Sequence, residues 1–222
     1  MTRYSPYSNV VSETTSASYP AALANRHFWY DPSDLTTITK DGADIVSRVN
    51  DKLGNGKDLV TGSALWTADT LLFNGTDQYL RTGTWAWSQP GMIYMIVKQV
   101  SWSNSDTIFD GYNLNTAKLM QKTPTPNLSM YAGTAYVCDS NLLPVGTWGI
   151  IRVYFSGVNS RLTINDNTPV TGNPGTSNLA GFTLGRPGNY NDVYGNFQVK
   201  DVIGMPSTEG EDEIYNWLVT RL

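Results

Sequence analysis

Short runs of β-forming residues, separated at regular intervals by turn residues, constrain the fold more than any other feature of this sequence. Val, Ile, Tyr, Phe and Trp dominate the runs, and Gly, Pro, Asn and Asp lie between them. The longest run, residues 92–100, is nearly apolar on both faces, which is typical of a strand at the centre of a sheet. Residues 148–156 alternate and turn into residues 161–165, which indicates a hairpin. With no internal repeat, this spacing predicts one β-sandwich domain.

Composition excludes several classes of function. A chain of 222 residues with 40% hydrophobic content can bury a full core. The net charge is −4 and no basic cluster occurs, so we expect no nucleic-acid partner, because phosphate binding needs grouped Lys and Arg. The single histidine, His27, and the single cysteine, Cys138, exclude an intrachain disulfide and a Cys/His zinc site. We interpret His27 as a packed or rim side chain and Cys138 as a small apolar filler.

No segment approaches the ~20 apolar residues that a membrane-spanning helix needs. The first residues, MTRYSPY, also lack the apolar centre of a signal peptide. From these features we expect no membrane insertion and, if Met1 is the native start, no export by the usual secretory route.

Three stretches carry a resemblance to a known family. The first is residues 28–59, FWYDPSDLTTITKDGADIVSRVNDKLGNGKDL, in which an aromatic strand ends at Asp31-Pro32 and a glycine-punctuated loop closes the unit. The second is LFNGTDQYL at residues 72–80, and the third is the C-terminal order of glycine, strand and amphipathic helix. Together they resemble the concanavalin A-like lectin/glucanase (laminin G-like) jelly-roll domain, in the versions found in bacterial surface proteins and tailed-phage virion proteins.

The resemblance implies an all-β, two-sheet antiparallel jelly-roll sandwich over residues 26–222, with a short C-terminal α-helix. Residues 1–25 are Ser/Thr/Tyr-rich without a usable period, which predicts an extended N-terminal arm. The arm is either flexible or docked on a neighbouring subunit or virion protein. In the second case the protein is a homo-oligomer through the arm, whose interface anchors are Tyr4, Tyr7, Val10, Val11 and Tyr19.

Two local motifs make further predictions. Asn74-Gly75-Thr76-Asp77 has the residues of a tight hairpin turn between two strands. Near the C-terminus, Thr208 and Glu211 have the spacing of a capping box at the start of a helix. The apolar stripe of that helix consists of Ile214, Trp217, Leu218 and Leu222.

The carboxylates argue against catalysis. Glucanases of this fold place two Glu and an Asp at alternate positions of one strand, and glycosidases in general need a carboxylate pair. This chain has only four Glu, which are Glu13, Glu209, Glu211 and Glu213, and none lies in a predicted strand. We therefore expect no enzyme activity and no catalytic residues. We expect no cofactor other than a possible structural calcium ion, which the resemblance implies because many relatives hold one; the best positional match for its ligand is Asp201, and Asp31 and Asp77 are weaker candidates.

Loop aromatics and amides favour glycan binding. Sugar recognition by this class of fold uses aromatic rings for stacking and Asn or Asp side chains for hydroxyl groups. The candidate glycan-binding residues are Trp102, Tyr112, Asn113, Tyr131, Tyr136, Asn189, Tyr190 and Asp192. Each could equally serve a turn or a protein interface.

The leading hypothesis is a non-enzymatic phage virion protein, with structural, decoration or adhesion roles and a lectin-like domain that binds host-surface glycans. Its partners would be a glycan or other virion proteins, and its location the virion surface after assembly in the host cytoplasm. A soluble carbohydrate-binding module outside any virion is the alternative. Of the three functions, glycoside hydrolysis has the least support from the residues.

Overall fold

The structure is a computed structural model that describes residues 19–222. Sixteen strands and one helix form within this part of the chain. The strands are β1 (Phe28–Tyr30), β2 (Ile38–Lys40), β3 (Ile45–Val49), β4 (Thr61–Thr67), β5 (Thr70–Asn74), β6 (Tyr79–Arg81), β7 (Gly91–Gln99), β8 (Thr107–Asp110), β9 (Lys118–Gln121), β10 (Leu128–Tyr131), β11 (Val137–Ser140), β12 (Trp148–Phe155), β13 (Ser160–Ile164), β14 (Val170–Gly172), β15 (Thr183–Leu184) and β16 (Asn196–Met205). The helix is α1 (Glu211–Val219), and short 3-10 turns occur at Ala21–Asn25, Leu35–Thr37 and Gly157–Asn159.

The strands pair antiparallel, which confirms the predicted all-β class with a short C-terminal helix. The predicted central strand is β7, which lies between β12 and β16. The predicted hairpin is the β12–β13 pair. These two predictions hold because burial of one or both faces of a strand leaves a pattern of apolar residues. That pattern can be read within the segment itself.

The hydrogen bonds join the strands into one continuous network from β11 to β14. β4 makes the link, because its residues 61–63 pair with β6 and its residues 65–67 pair with β5. The network curls until β11 contacts β13 and β14, where a Cβ added at Gly172 would lie 2.9 Å from the Cβ of Val137. The strands therefore enclose the core almost as a barrel does, rather than as the two separate sheets of the predicted jelly roll.

The hairpin predicted at Asn74-Gly75-Thr76-Asp77 does not form. β5 pairs with β4 and β16, whereas β6 pairs with β4 and β15. The Asn74 side-chain oxygen accepts the backbone N–H groups of Thr76, Asp77 and Gln78 at 2.9, 3.2 and 3.3 Å. The turn residues thus build a corner at which the chain changes pairing partners, instead of a turn between paired strands.

Two apolar clusters stabilise the fold. The main core lies inside the curled network and includes Phe73, Phe109 and Phe197. The second cluster, which includes Trp29 and Tyr94, lies on the outer side of β1, β7, β12 and β16, where α1 and the turn at Ala21–Asn25 cover it. Each fully buried large apolar side chain in these clusters contributes about 1.5–3 kcal/mol.

The start of α1 differs from the predicted capping box. Gly210, with φ 68°, precedes the helix, and no side chain caps it. Glu211 instead pairs with two arginines of the sheet, at 3.0 Å from Arg152 and in direct contact with Arg161. The predicted apolar stripe is also shorter, because Ile214 and Leu218 are buried but Leu222 is exposed.

The predicted arm is only partly within the described residues. Tyr4, Tyr7, Val10 and Val11 lie outside them. Tyr19 packs its ring edge-on against Trp29, at 4.9 Å between centroids, and against Trp217 at 6.0 Å. The domain boundary at Asn25 and assembly through the arm stay predictions. None of the helices in residues 19–222 has the length and apolar character to cross a membrane.

Candidate functional site

A row of polar side chains crosses five neighbouring strands on the outside of the network. Strand register places these residues side by side: Arg81 in β6, Thr183 in β15, Asp110 in β8, Lys118 in β9 and Tyr131 in β10. Their neighbours along the strands, Leu80, Leu184, Phe109, Leu119 and Met130, belong to the main core. Because successive side chains alternate between the two faces of a strand, the polar row points away from the core.

Asp110 anchors the loop that follows β8. Its carboxylate accepts the backbone N–H groups of Gly111, Asn115 and Thr116 at 2.8, 2.9 and 3.1 Å, together with the Thr116 hydroxyl at 3.1 Å. The side chain is fully buried, and this burial raises the pKa of Asp110 to about 6, against the opposing effect of its backbone hydrogen bonds and of Lys118. Asp110 therefore fixes the loop rather than offering free oxygens to a ligand.

Lys118 lies between this loop and a pair of tyrosines. Its ammonium group donates to the Asn115 side-chain oxygen at 2.7 Å and lies 5.5 and 5.3 Å from the ring centroids of Tyr131 and Tyr136. Burial lowers the pKa of Lys118; the charge of Asp110 opposes this effect and the charge of Lys122 adds to it. The distances to the two rings are those of cation–π contacts, which hold both tyrosines in place.

Tyr131, which is half-buried, and Tyr136, which is exposed, lie together in this region. Their centroids are 4.8 Å apart with ring planes at 34°, and Tyr136 is 41% exposed. The ammonium group of Lys122 lies 4.9 Å from the Tyr136 centroid. We call this region the tyrosine face, defined by Arg81, Asp110, Lys118, Lys122, Tyr131 and Tyr136.

Two loops border the tyrosine face. The guanidinium carbon of Arg81 lies 4.6 Å from the ring centroid of Tyr112 in the loop after β8. The Leu114 N–H of the same loop donates to the side-chain oxygen of Asn189 at 3.2 Å. Gly188 approaches Asn113 so closely that an added Cβ would lie 2.2 Å from its carbonyl carbon. The structure thus brings Tyr112, Asn113 and Asn189 together at one border of the face.

The remaining candidate residues lie apart. Trp102 is half-buried and donates its indole N–H to the Asn127 carbonyl at 3.2 Å, in a separate pair of loops. Tyr190 is exposed at the tip of the loop between β15 and β16. Within residues 19–222, no ring contact or hydrogen bond joins Trp102 or Tyr190 to Tyr131 or Tyr136.

Asp192 lies close to a second carboxyl group. Thr107 donates its N–H to the Val193 carbonyl at 3.0 Å, which places Asp106 and Asp192 at neighbouring positions. Burial, and then the charge of Asp192, raise the pKa of Asp106 to about 6. A carboxyl group with a raised pKa beside a second carboxylate is the arrangement from which a general acid can be built.

The carboxylates considered for calcium hold other groups. Arg221 donates to Asp201 at 2.7 Å and to Asp31 at 2.8 Å, and Lys52 donates to Asp31 at 2.7 Å. These cations occupy the oxygens that a calcium ion would need. Asp77 accepts from the Asn74 amide at 2.8 Å. In the part of the chain that the structure describes, no group of three His, Cys, Asp or Glu side chains could hold a metal ion.

The histidine and the cysteine are placed as expected. His27 is half-buried, with its ring 5.3 Å from that of Trp87 and its Nδ1 atom 3.2 Å from the Lys57 ammonium group. Cys138 is buried in the main core, and burial raises the pKa of its thiol to about 11.

Four residues of the tyrosine face were not among the predicted site residues: Arg81, Asp110, Lys118 and Lys122. The sequence carried one signal for the lysines. In an extended strand Lys118 and Lys122 lie on one face, and Leu119 and Gln121 lie on the opposite face. Arg81 gave no such signal, because the register of distant strands brings it to the site.

No protein-family model matches the chain, and no curated protein matches it in sequence. Trypanosoma rangeli sialidase in complex with sialic acid aligns with 86% of this chain and 33% of its own, at 10% identity and a TM-score of 0.64. A GH54 α-L-arabinofuranosidase aligns with 78% of this chain and 50% of its own, at 12% identity and a TM-score of 0.56. Domain 4 of AbnA, a GH43 extracellular arabinanase from Geobacillus stearothermophilus in complex with arabinotriose, aligns with 82% of this chain and 92% of its own, at 16% identity and a TM-score of 0.52.

The chain spans about a third of the sialidase and half of the arabinofuranosidase. At these identities the likeness shows an antiparallel all-β fold that occurs in carbohydrate-active enzymes. It overturns the expectation of a non-enzymatic phage virion protein, because these three structures are two glycosidases and a domain of a third. None of the three is a virion protein.

Proposed function

We propose that this chain is a carbohydrate-active domain that binds a saccharide on the tyrosine face. The observation that carries the proposal is the pair formed by Tyr131 and Tyr136 on the outside of the sheet. An exposed aromatic ring offers a flat apolar surface to the C–H groups of a sugar ring, and its hydroxyl group offers a hydrogen bond.

The surroundings of the pair suit a polar ligand. Lys118 and Asn115 are already ordered by their mutual hydrogen bond, and Asp110 holds the adjoining loop through four hydrogen bonds. Binding to side chains that are already ordered costs less conformational entropy than binding to mobile ones. The carbohydrate-active enzymes that share the fold support the same assignment.

The test measures binding of a panel of plant and microbial polysaccharides by affinity electrophoresis and titration calorimetry. Replacing Tyr136 by alanine removes an exposed ring without opening the core, so we expect about tenfold weaker binding with an unchanged fold. The matched variant is Tyr190→Ala, which removes an equally exposed ring from a separate loop. Loss of binding in Tyr190→Ala but not in Tyr136→Ala would move the site to that loop, and no binding to any polysaccharide would refute the proposal.

A second candidate function is hydrolysis of glycosidic bonds, which Asp106 and Asp192 favour. The two residues lie at neighbouring positions, and the pKa of Asp106, raised to about 6, is in the range that suits a general acid. The test is release of reducing ends from the same polysaccharides. Activity that is lost in both Asp106→Asn and Asp192→Asn would support hydrolysis. Activity that survives both substitutions, or that is absent from the unaltered protein, would refute it.

A further inference from the structure

The cations of the tyrosine face form no ion pair within residues 19–222. Ion pairs within residues 19–222 involve Lys40, Arg48, Lys52, Arg152, Arg161 and Arg221. Arg81, Lys118 and Lys122 form none in this part of the chain, and their partners are the aromatic rings of Tyr112, Tyr131 and Tyr136. In a protein with a net charge of −4, this group of cations is a local excess of positive charge.

Asp110 offsets part of this positive charge, since its charge raises the pKa of Lys118 against the effect of burial, but it forms no ion pair with these cations within residues 19–222. The Phe109–Leu119 pair of β8 and β9 brings Asp110 to the position beside Lys118, and four donors of its own loop bind its carboxylate. Lys118 is only 5% exposed, and the one side-chain acceptor that its ammonium group has among residues 19–222 is the neutral amide oxygen of Asn115. Asp106 immediately precedes β8, whereas Asp110 is the last residue of that strand. Neither acid forms an ion pair with Lys118 or Lys122.

We propose that the ligand of the tyrosine face is an anionic saccharide, whose carboxylate or sulfate group lies against Lys118 and Lys122. A buried ammonium group without an acidic partner gains more from an approaching anion than an exposed one does, because water screens it less. The tyrosine rings then hold the sugar ring, and the lysines select for its charge. This inference rests on the proposed function and adds to it the charge of the saccharide.

The experiment compares ligands that differ only in charge. Oligogalacturonate presents carboxylates, and its fully methyl-esterified form has the same backbone without charge. Dextran sulfate and dextran provide the same comparison for sulfate. We expect the charged member of at least one pair to bind at least tenfold more tightly, with an affinity that falls as NaCl is raised from 50 to 500 mM, concentrations chosen to span roughly a threefold change in screening length.

The variant Lys122→Met keeps the aliphatic stem and removes the charge, and Lys122 is only half-buried, so the fold tolerates it. We expect it to bring the affinity for the charged member down towards that of the neutral one. Lys118→Met is the second variant, with circular dichroism to check folding. Arg48→Ala, which alters an exposed ion pair elsewhere, is the control and should leave the preference unchanged.

The outcomes separate this inference from the proposed function. Equal binding of the charged and neutral members, weakened alike by Tyr136→Ala, overturns the charge preference and leaves saccharide binding in place. A charge preference that survives both lysine substitutions also overturns it, because the anion then lies elsewhere. A preference for dextran sulfate alone supports it with sulfate as the anionic group. No binding of any of the four ligands or of the polysaccharide panel refutes both proposals.

Discussion

Arg221 is the residue whose loss should destabilise the protein most clearly. Its guanidinium group donates to Asp201 at 2.7 and 3.1 Å and to Asp31 at 2.8 Å, and so joins the end of the chain to β16 and to the loop after β1. Asp201 is completely buried and Asp31 nearly so. Arg221→Ala leaves the charge of Asp201 without a cation, while Asp31 keeps Lys52 at 2.7 Å.

Removal of one partner of a buried ion pair costs about 3–5 kcal/mol, because the remaining charge stays buried without compensation. For a chain of this size, a loss of 1 kcal/mol lowers the melting temperature by about 2–4 °C, so the expected fall is about 6–20 °C. Urea unfolding measures the loss in the free energy of unfolding directly, and we expect a lower urea midpoint with an unchanged slope. The matched control is Arg48→Ala, whose pair with Asp58 lies at the surface and contributes at most about 1 kcal/mol.

The pH dependence tests the cause. Burial raises the pKa of Asp201 even beside Arg221, and loss of the guanidinium raises it further. The native state of Arg221→Ala therefore takes up a proton at higher pH than the unfolded state does, and its deficit in stability should be smaller at pH 4 than at pH 7. Asp201→Asn in the same chain should restore part of the loss. A deficit below about 1 kcal/mol, or one that is equal at both pH values, would refute the reasoning.

Three further predictions follow from single groups. The folded pKa of Asp110 is about 6, above its ordinary value, so its contribution to stability falls by on the order of 3 kcal/mol as pH rises from about 4 to above 6. In urea unfolding at pH 4 and pH 7, the free energy of unfolding should change less between the two pH values in Asp110→Asn than in the unaltered protein. An equal change in both proteins would contradict this. Glu211→Gln leaves Arg152 and Arg161 without their carboxylate and should cost about 1.5–3 kcal/mol in the same assay, whereas Glu209→Gln should cost nearly nothing. The Cys138 thiol, buried and with its pKa raised to about 11, should not react with Ellman's reagent at pH 8 until urea unfolds the chain; rapid labelling of the native protein would show that the thiol is accessible.

The sequence predicts elements better than it predicts their partners. β7 and the β12–β13 hairpin are read correctly because burial imposes its pattern on neighbouring residues. The corner at Asn74 is misread because the same residues suit a tight turn and a change of partners, and only the distant β15 and β16 decide between them. Glu211 is misread as a capping residue for a similar reason, since Arg152 and Arg161 reach it from other strands.

The candidate site follows the same rule. Tyr131 and Tyr136 are only five residues apart, but the loop between them is held by the distant Pro174, whose carbonyl accepts the N–H groups of residues 132, 134 and 135. Lys118 and Arg81 reach the same face through strand register. The pairing of strands that are distant in the chain cannot be read from a single sequence. The sequence predicts a turn at Asp110. It does not predict that Asp110 is buried, because the burial depends on the loop that closes over it.

The curl that brings β11 beside β13 and β14 has a consequence for self-association. The outer edge of a sheet offers unpaired N–H and C=O groups to any other chain, and long flat edges promote polymerisation through added strands. Here the two ends of the strand path shelter each other, and the close approach at Gly172 leaves no room for a side chain between them. A larger residue at Gly172 would push Val137 away and open both edges, so that the first effect of such a change would be aggregation on storage rather than loss of ligand binding.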